Sequence, residues 1–199
     1  EPSRGLGDVY KRQVLGNKIF PSDEIMQVFE LKEGNWFSFL SNNDRYSKEK
    51  LEGDLENLES YYLDRGYLEF SLESIQVSIS QDKRDVFITM SIFEGEKFTI
   101  NEVNVLGDMP IDEEVYQPII ESLKDTTYSQ AQITSIEEYF TSLLGNQGYT
   151  FAEVRGNPEI QESSNLVNLL FIIQPGNRTY ARKINFSGNF LTNDEVLRR

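Results

Sequence analysis

The chain of 199 residues carries 33 acidic and 19 basic residues, which gives a net charge of −14, and it contains neither cysteine nor histidine. This length suits one or two small domains, and an acidic balance without a dense cluster of Lys and Arg argues against a nucleic-acid-binding protein. The missing Cys and His exclude disulfides, thiolate nucleophiles, histidine catalysis and zinc sites built on these residues, and no apolar run approaches the ~20 residues of a membrane helix.

The first half of the chain predicts two helices followed by two strands. A short helix is expected over Ser22–Phe29 and a longer one over Ser47–Leu63. Ser74–Ser80 alternates apolar and polar residues, which is typical of a strand with one wet face. Val86–Phe93 is almost continuously apolar and therefore predicts a strand flanked on both sides within a sheet. The longer helix has apolar residues on one face at helical spacing: Leu51, Leu55, Leu58 and Tyr62.

The second half predicts the same kinds of element in the same order. Phe98–Leu106 alternates and predicts a strand, and a helix follows over Asp112–Ser122. A second helix begins at Ser129, which has Gln132 at capping-box spacing. Leu166–Ile173 is nearly continuous in apolar residues, so it predicts another central strand. The apolar face of the second helix consists of Ile133, Ile136, Phe140 and Leu143.

The two halves are copies of one repeat. Gly66-Tyr67 reappears as Gly148-Tyr149 at an offset of 82 residues, and Gly95 matches Gly176 at an offset of 81. Both long helices stop at a glycine that can adopt the left-handed conformation at a helix end. Tyr180–Phe186 alternates again and opens a further copy. The sequence therefore predicts a tandem array cut at both ends, with units of strand, helix, helix, strand, strand joined by short, stiff linkers.

This order of elements, with its terminal glycines, resembles the POTRA family over about Val14–Arg199. The segment YSKEKLEGDLENLESYYLDRGYLEFSLESIQVSIS (Tyr46–Ser80) is similar to the third POTRA domain of outer-membrane protein assembly factors, and FEGEKFTINEVNVLG, GYTFAEV and GNRTYARKINFSGN continue the resemblance. It implies an α+β fold of tandem POTRA domains, each with a three-stranded mixed sheet and two helices on one face. Residues 14–95 would be third-like with the first strand truncated or replaced, 96–176 fourth-like, and 177–199 the start of a fifth-like domain.

The first thirteen residues depart from this pattern. EPSRGLGDVYKRQ (Glu1–Gln13) takes the place of the first strand without resembling the family, and GLGDVYKRQ looks like translated sequencing-adapter read-through. We interpret residues 1–13 as an artefact of sequencing or translation and leave them out of the functional reasoning. Val9–Leu15 alternates weakly, so it could still pair as a substitute strand.

The resemblance also implies a function. It implies a scaffold and docking module on the periplasmic side of the Gram-negative outer membrane, with accessory lipoproteins and unfolded outer-membrane proteins as partners. The membrane would be reached only through a β-barrel outside this chain. No enzymatic activity, cofactor, metal or nucleic-acid partner is implied. An alternative within the fold is the POTRA array of a two-partner secretion transporter or another assembly protein of the superfamily, which the sequence beyond Arg199 would distinguish.

The strand near Ile75 is the best candidate for a docking site. If Val86–Phe93 is central, this strand lies at the sheet edge and offers unpaired backbone groups to an extended chain, by β-augmentation. The corresponding strand of the middle repeat contains Gly156 and Pro158, which weaken it and remove a ladder donor. The charged turn after Ser80 leaves open that the first edge is blunted. The predicted protein-binding residues are Ile75, Gln76, Val77, Ser78, Ile79, Ser80 and Asp82.

An aromatic insertion is the second candidate. The middle repeat has only a short connection at this place, so the segment is extra to the repeat. It could be an exposed protein-binding loop or a lid on the core of its own domain, and the residues alone do not decide between them. The residues concerned are Trp36, Phe37, Phe39 and Leu40.

Acidic residues recur at the start of each repeat. Asp23-Glu24, Asp112-Glu113-Glu114 and Asp194-Glu195 could be read as paired catalytic carboxylates. Acidic residues in the first turn of a helix also complement its dipole, and their repetition favours this interpretation. No loop has the ligand spacing of a calcium-binding EF-hand. The sequence therefore predicts a binding module without catalytic, cofactor-binding or metal-ligating residues.

Overall fold

A computed structural model of the chain describes residues 10–28, 44–79, 86–161 and 164–180. The described residues contain four helices and two three-stranded sheets, in the order strand, helix, helix, strand, strand, twice over. The strands are β1 (Tyr10–Leu15), β2 (Ser71–Ile79), β3 (Val86–Phe93), β4 (Thr99–Gly107), β5 (Glu153–Ile160) and β6 (Leu166–Gln174). The helices are α1 (Ser22–Val28), α2 (Asp44–Leu63), α3 (Glu113–Leu123) and α4 (Gln130–Asn146). The predicted α+β fold with mixed sheets is confirmed.

The continuously apolar strands are central in both sheets. β3 lies between β1 and β2, parallel to the first and antiparallel to the second. β6 lies between β4 and β5 with the same directions. Their helix-facing side chains line the two cores, because the helices cover this face of each sheet. The buried residues of the central strands are Ile88, Met90, Ile92, Val167, Leu169, Phe171 and Ile173.

The helices bury the faces that the apolar spacing predicts, with three differences; the side chain of Leu51 lies outside the described ones. Ile136 of α4 is half-buried against the second core. Leu58 and Tyr62 of α2 are buried, but Leu55, which we expected in the core, is only half-buried because it lines a groove open to solvent beside β2. In α4 the buried residue of the last turn is Leu144, with Leu143 half-buried against the same core. The amide of Gln132 donates to Ser129 Oγ at 3.3 Å, which caps α4 as predicted.

The acidic pairs at the repeat starts lie at helix N-termini. Asp23 and Glu24 occupy the first turn of α1, and Glu113 and Glu114 occupy the first turn of α3. This position favours the dipole interpretation of these residues. Asp194 and Glu195 lie outside the described residues.

The first strand includes residues that the sequence analysis set aside. β1 runs parallel to β3 from Tyr10 opposite Val86 to Leu15 opposite Ser91. Val14 is buried in the first core. Residues Tyr10–Leu15 thus complete the first sheet, in the way considered above for a substitute strand.

A buried carboxylate fixes the loop that follows β1. Glu94, at the end of β3, accepts hydrogen bonds from the Lys18 amide at 2.6 Å and the Ile19 amide at 3.0 Å. Its other oxygen accepts from the Tyr62 hydroxyl at 2.9 Å. Burial, and then the hydrogen bond to Glu94, raise the pKa of Tyr62 above its ordinary value. Three donors offset the cost of burying this charge, which is otherwise high.

The two domains are in direct contact at the end of α2. The Phe98 amide donates to the Gly66 carbonyl at 2.8 Å, and the Ala131 amide in the first turn of α4 donates to Asp64 Oδ1 at 2.7 Å. Gly66 has a φ of +95°, and a side chain there would come within 2.8 Å of Thr127. Leu68 of the first domain packs against the core of the second. A carboxylate of one domain therefore caps a helix of the next.

We predict that Leu58→Ala lowers the free energy of unfolding by about 2–5 kcal/mol, because it leaves a cavity where α2 meets the sheet. Urea denaturation followed by circular dichroism measures the loss. Asn57→Ala is the matched control, since Asn57 is exposed on the same helix. An unchanged midpoint for Leu58→Ala would show that this face of α2 does not carry the core.

We predict that Asp64→Ala destabilises the second domain by about 0.5–2 kcal/mol, because an amide in the first turn of α4 loses its acceptor. Asp64→Asn keeps an acceptor oxygen and should cost less. Hydrogen exchange at the Ala131 amide provides the local measurement and should speed up in the alanine variant. Equal exchange in the wild type and Asp64→Ala would contradict the cross-domain cap.

Candidate docking edge

β2 is an outer strand of the first sheet, as the sequence predicts. It pairs with β3 alone, with Ile75 opposite Met90 and Val77 opposite Ile88, and a bulge interrupts the register between Leu72 and Ser74. Within the described ranges, no strand and no hydrogen bond from another element reaches its other edge. Among the described residues, this edge of β2 thus has no strand partner.

The side chains of β2 divide between two faces. Ile75 is half-buried against the first core, whereas Val77, two residues on, is 40% exposed. Gln76 and Ser78 are exposed on the opposite face and carry no charge. An approaching strand would therefore meet no charged or bulky side chain at these four residues.

Most of the other predicted site residues lie outside the described part of the chain. Ile79 is the last residue of β2 and lies opposite Val86. Ser80 and Asp82 lie outside the described residues, as do Trp36, Phe37, Phe39 and Leu40. The edge strand is thus the part of the predicted site whose geometry is defined.

A groove beside the start of β2 was missed from the sequence. It lies between α2 and β2 and has a volume of about 290 Å³. The Phe70 ring stacks on the Tyr62 ring with centroids 4.1 Å apart, which holds one wall in place. Leu55 was the available signal, because an apolar residue at the margin of a helical stripe often lines such a groove. The lining residues are Leu55, Leu58, Glu59, Phe70, Ser71 and Leu72.

The second sheet has an outer strand in the same place, but its surroundings are polar. β5 pairs with β6 alone, and the Gly156 amide donates to Glu137 Oε1 of α4 at 2.5 Å. Burial raises the pKa of the nearby Tyr128 to about 12, with further contributions from the carboxylates of Glu137 and Asp64. The two outer strands are therefore alike in topology and different in chemistry.

The described residues show neither a metal cluster nor a membrane-spanning helix. Within residues 10–28, 44–79, 86–161 and 164–180, no cluster of three or more acidic side chains has the geometry to hold a metal ion. None of the helices in these ranges is long and apolar enough to cross a membrane. Features that could bind a partner are the sheet edges, the groove beside β2 and a larger cleft of about 520 Å³ near the end of β3, which Lys18, Glu69 and Phe93 help to line.

Comparison with known proteins gives relatives over almost the whole chain. The outer membrane protein assembly factor BamA of Buchnera aphidicola is 31% identical over 188 residues, which are 94% of this chain and 30% of that protein. BamA of Neisseria meningitidis is 24% identical over 92% of this chain and 23% of its own length. The chain thus spans less than a third of the length of these relatives.

The same relationship is seen among solved structures. The crystal structure of POTRA domains 3–5 of Haemophilus influenzae BamA matches with a TM-score of 0.70 at 21% identity, over 96% of this chain and 75% of that one. At this identity the match shows that the fold is shared.

The sequence model of the POTRA family, described as a surface antigen variable number repeat, matches residues 9–95 and 98–176. The two matched segments correspond to the two sheets with their helices. The resemblance that the repeat and its glycines indicated is confirmed, and this chain belongs to the POTRA family.

Proposed function

We propose that this chain is a docking scaffold in the assembly of outer-membrane proteins, on the periplasmic side of a Gram-negative outer membrane. The names of its relatives support this function, since the proteins similar to most of its length are outer membrane protein assembly factors. Accessory lipoproteins and unfolded outer-membrane proteins are its partners. Each can present an extended segment, which is the form that an open sheet edge accepts.

The observation that carries the proposal is the outer edge of β2, which pairs with no strand in the described part of the chain and lies beside an apolar groove. Pairing with a strand edge uses backbone donors and acceptors, so it tolerates many side-chain sequences. A receptor for varied substrates needs this tolerance. The groove adds a preference, because one apolar side chain of the incoming strand can be buried between α2 and β2.

The groove sets the scale of that preference. Complete burial of a Val or Leu side chain is worth about 1.5–3 kcal/mol, and a groove open to solvent yields the lower part of that range. Such an energy distinguishes chains with alternating apolar residues from purely polar ones without selecting one sequence. Alternation of apolar and polar residues is what membrane β-strands have.

The exposed part of β2 supports reversible binding. Gln76 and Ser78 make the wet face of the strand polar, which lowers the tendency of an open edge to aggregate. Val77 is exposed on the helix side, next in line after the groove residue Leu72 and the half-buried Ile75. A bound strand would therefore cover a short apolar track and leave its other face in water.

We predict that Val77→Pro lowers the affinity for a short peptide of alternating threonine and valine by about tenfold, the equivalent of one lost backbone hydrogen bond. Val77 faces Ile88 as Pro158 faces Leu169 in the second sheet, where the strand accommodates proline. The variant should therefore fold, which circular dichroism verifies. Fluorescence anisotropy of the labelled peptide measures binding.

Ser78→Lys tests the same edge with a charge, and Glu159→Lys is its matched control. Ser78 lies opposite Phe87 and Glu159 opposite Asn168, so the two residues hold equivalent places in the two sheets. Only Ser78→Lys should lower the affinity for the peptide. Unchanged affinity in a folded Val77→Pro variant would count against docking on β2.

A further inference from the structure

The outer strand of the second sheet has a complete ladder on its inner side. β5 pairs with β6 from Glu153 opposite Gln174 to Ile160 opposite Val167 without a shift of register. Pro158 therefore does not interrupt the register of β5 with β6. The backbone groups of Gly156 and Pro158 instead affect the outer edge of β5, which faces away from β6.

The Gly156 amide defines which residues of β5 point outward. Gly156 lies directly opposite Phe171, and its amide donates to Glu137 Oε1 at 2.5 Å. Five residues further on, the Gln161 amide donates to the Leu166 carbonyl of β6 at 3.0 Å, so the hydrogen-bonded positions of β5 alternate with that of Gly156. In an antiparallel ladder, two residues directly opposite each other either exchange both backbone hydrogen bonds or exchange none. Gly156 therefore occupies a non-hydrogen-bonded position, and its N–H and C=O face the outer edge.

The backbone groups of Pro158 face the same edge as those of Gly156, because Pro158 is two residues further along the strand. It lies opposite Leu169, and a residue with an N–H here would point that group outward. Two successive outward donors are thus unavailable: the first is bonded to a carboxylate and the second does not exist. An incoming strand would present carbonyl groups to Gly156 and to Pro158, and neither residue has a free N–H to donate to them.

Glu137 reaches the edge because residue 156 is a glycine. A side chain at this position would lie 2.7 Å from Ile133 Cγ2, 3.1 Å from Phe171 and 3.3 Å from Glu137 Oε1. The absence of a side chain lets α4 approach β5 closely enough for the carboxylate to meet the backbone amide. The glycine therefore accounts both for the close packing of α4 on β5 and for the hydrogen bond of its own amide to Glu137.

The first sheet has none of these features. By register, Ile75 faces Met90 where Gly156 faces Phe171, and Val77 stands where Pro158 stands. The residue 82 positions before Glu137 is Leu55, which lines the groove and has no acceptor to offer. The two repeats therefore differ at the three positions that decide whether the outer edge can take a strand.

We infer that Glu137 and Pro158 close the β5 edge to extended polypeptide and so direct docking to β2. Glu137 is a specificity-determining residue that selects between two equivalent strands of the tandem domains. This inference rests on the proposed docking function. It adds that the second sheet would also take an extended chain if its outward amides were freed.

The absence of cysteine from the chain allows a direct test with single-cysteine reporters. Ser78→Cys reports on β2 and Glu159→Cys on β5, at equivalent places in the two sheets. The probe is a short, net-neutral peptide of alternating threonine and valine with one cysteine. Disulfide adducts are counted by mass spectrometry for each reporter, with and without Glu137→Ala plus Pro158→Val.

The expected result is preferential capture at residue 78 in the unmodified background, by about tenfold or more. Opening β5 should raise capture at residue 159 by about tenfold and leave capture at residue 78 unchanged. Glu137→Gln plus Pro158→Val is the matched control, because it removes the charge but keeps an acceptor for the Gly156 amide. Capture at residue 159 should rise less in this control.

Hydrogen exchange makes the outcome decisive. The Gly156 amide should exchange faster in Glu137→Ala than in the wild type, and the amide of Phe171 in the central strand should stay protected if the fold survives. Unchanged exchange at Gly156, or freed exchange without a gain of capture at residue 159, would overturn the inference. Capture at residue 159 only after Glu137→Ala plus Pro158→Val, without any at residue 78 in either background, would support closure of β5 and refute docking on β2. Capture at residue 159 in the unmodified background would overturn the closure.

Discussion

Only the central strand of a three-stranded sheet has backbone partners on both edges. Each domain must therefore leave two edges in water, cover them or offer them to another chain. The start of β4 is covered, because the Ile100 amide donates to the Thr126 carbonyl at 2.8 Å and the Asp125 amide donates to Ile100 at 2.8 Å. The β5 edge loses outward donors to a carboxylate and a proline. How each edge is treated decides what the array can bind.

The contact between the two domains fixes the position of the outer edge of β2 in the array. The Phe98 amide donates to the Gly66 carbonyl at 2.8 Å, and one repeat later the Thr179 amide donates to the Gly148 carbonyl at 2.7 Å. The junction is thus a backbone feature of the repeat, with a glycine at positive φ as the acceptor in both places. Because Leu68 also packs into the second core, α2 and the start of β2 are tied to the next domain. A strand docked on β2 would be held at a fixed position in the array.

The fold was predictable from the sequence because its signals are local or repeated. The segments VFITMSIF and LVNLLFII are almost continuously apolar. This pattern alone predicted that each forms the central strand of its sheet. The effect of Pro158 was not predictable, because it depends on the phase of the strand. A shift of one residue would have placed the proline in the ladder. The contact of Glu137 with Gly156 joins a helix face to an edge 19 residues away, and no periodicity indicates it.

The repeat itself provides the comparison that one domain could not. Leu55 and Glu137 occupy the same place on equivalent helices, at the margin of the buried stripe where neither core constrains the residue. Both side chains are half-buried and lie beside the outer strand of their own sheet. Leu55 lines an apolar groove beside β2, whereas Glu137 supplies an acceptor for the Gly156 amide of β5. On the inference above, this helix position acts together with the glycine and the proline of β5 in setting what each outer strand can bind.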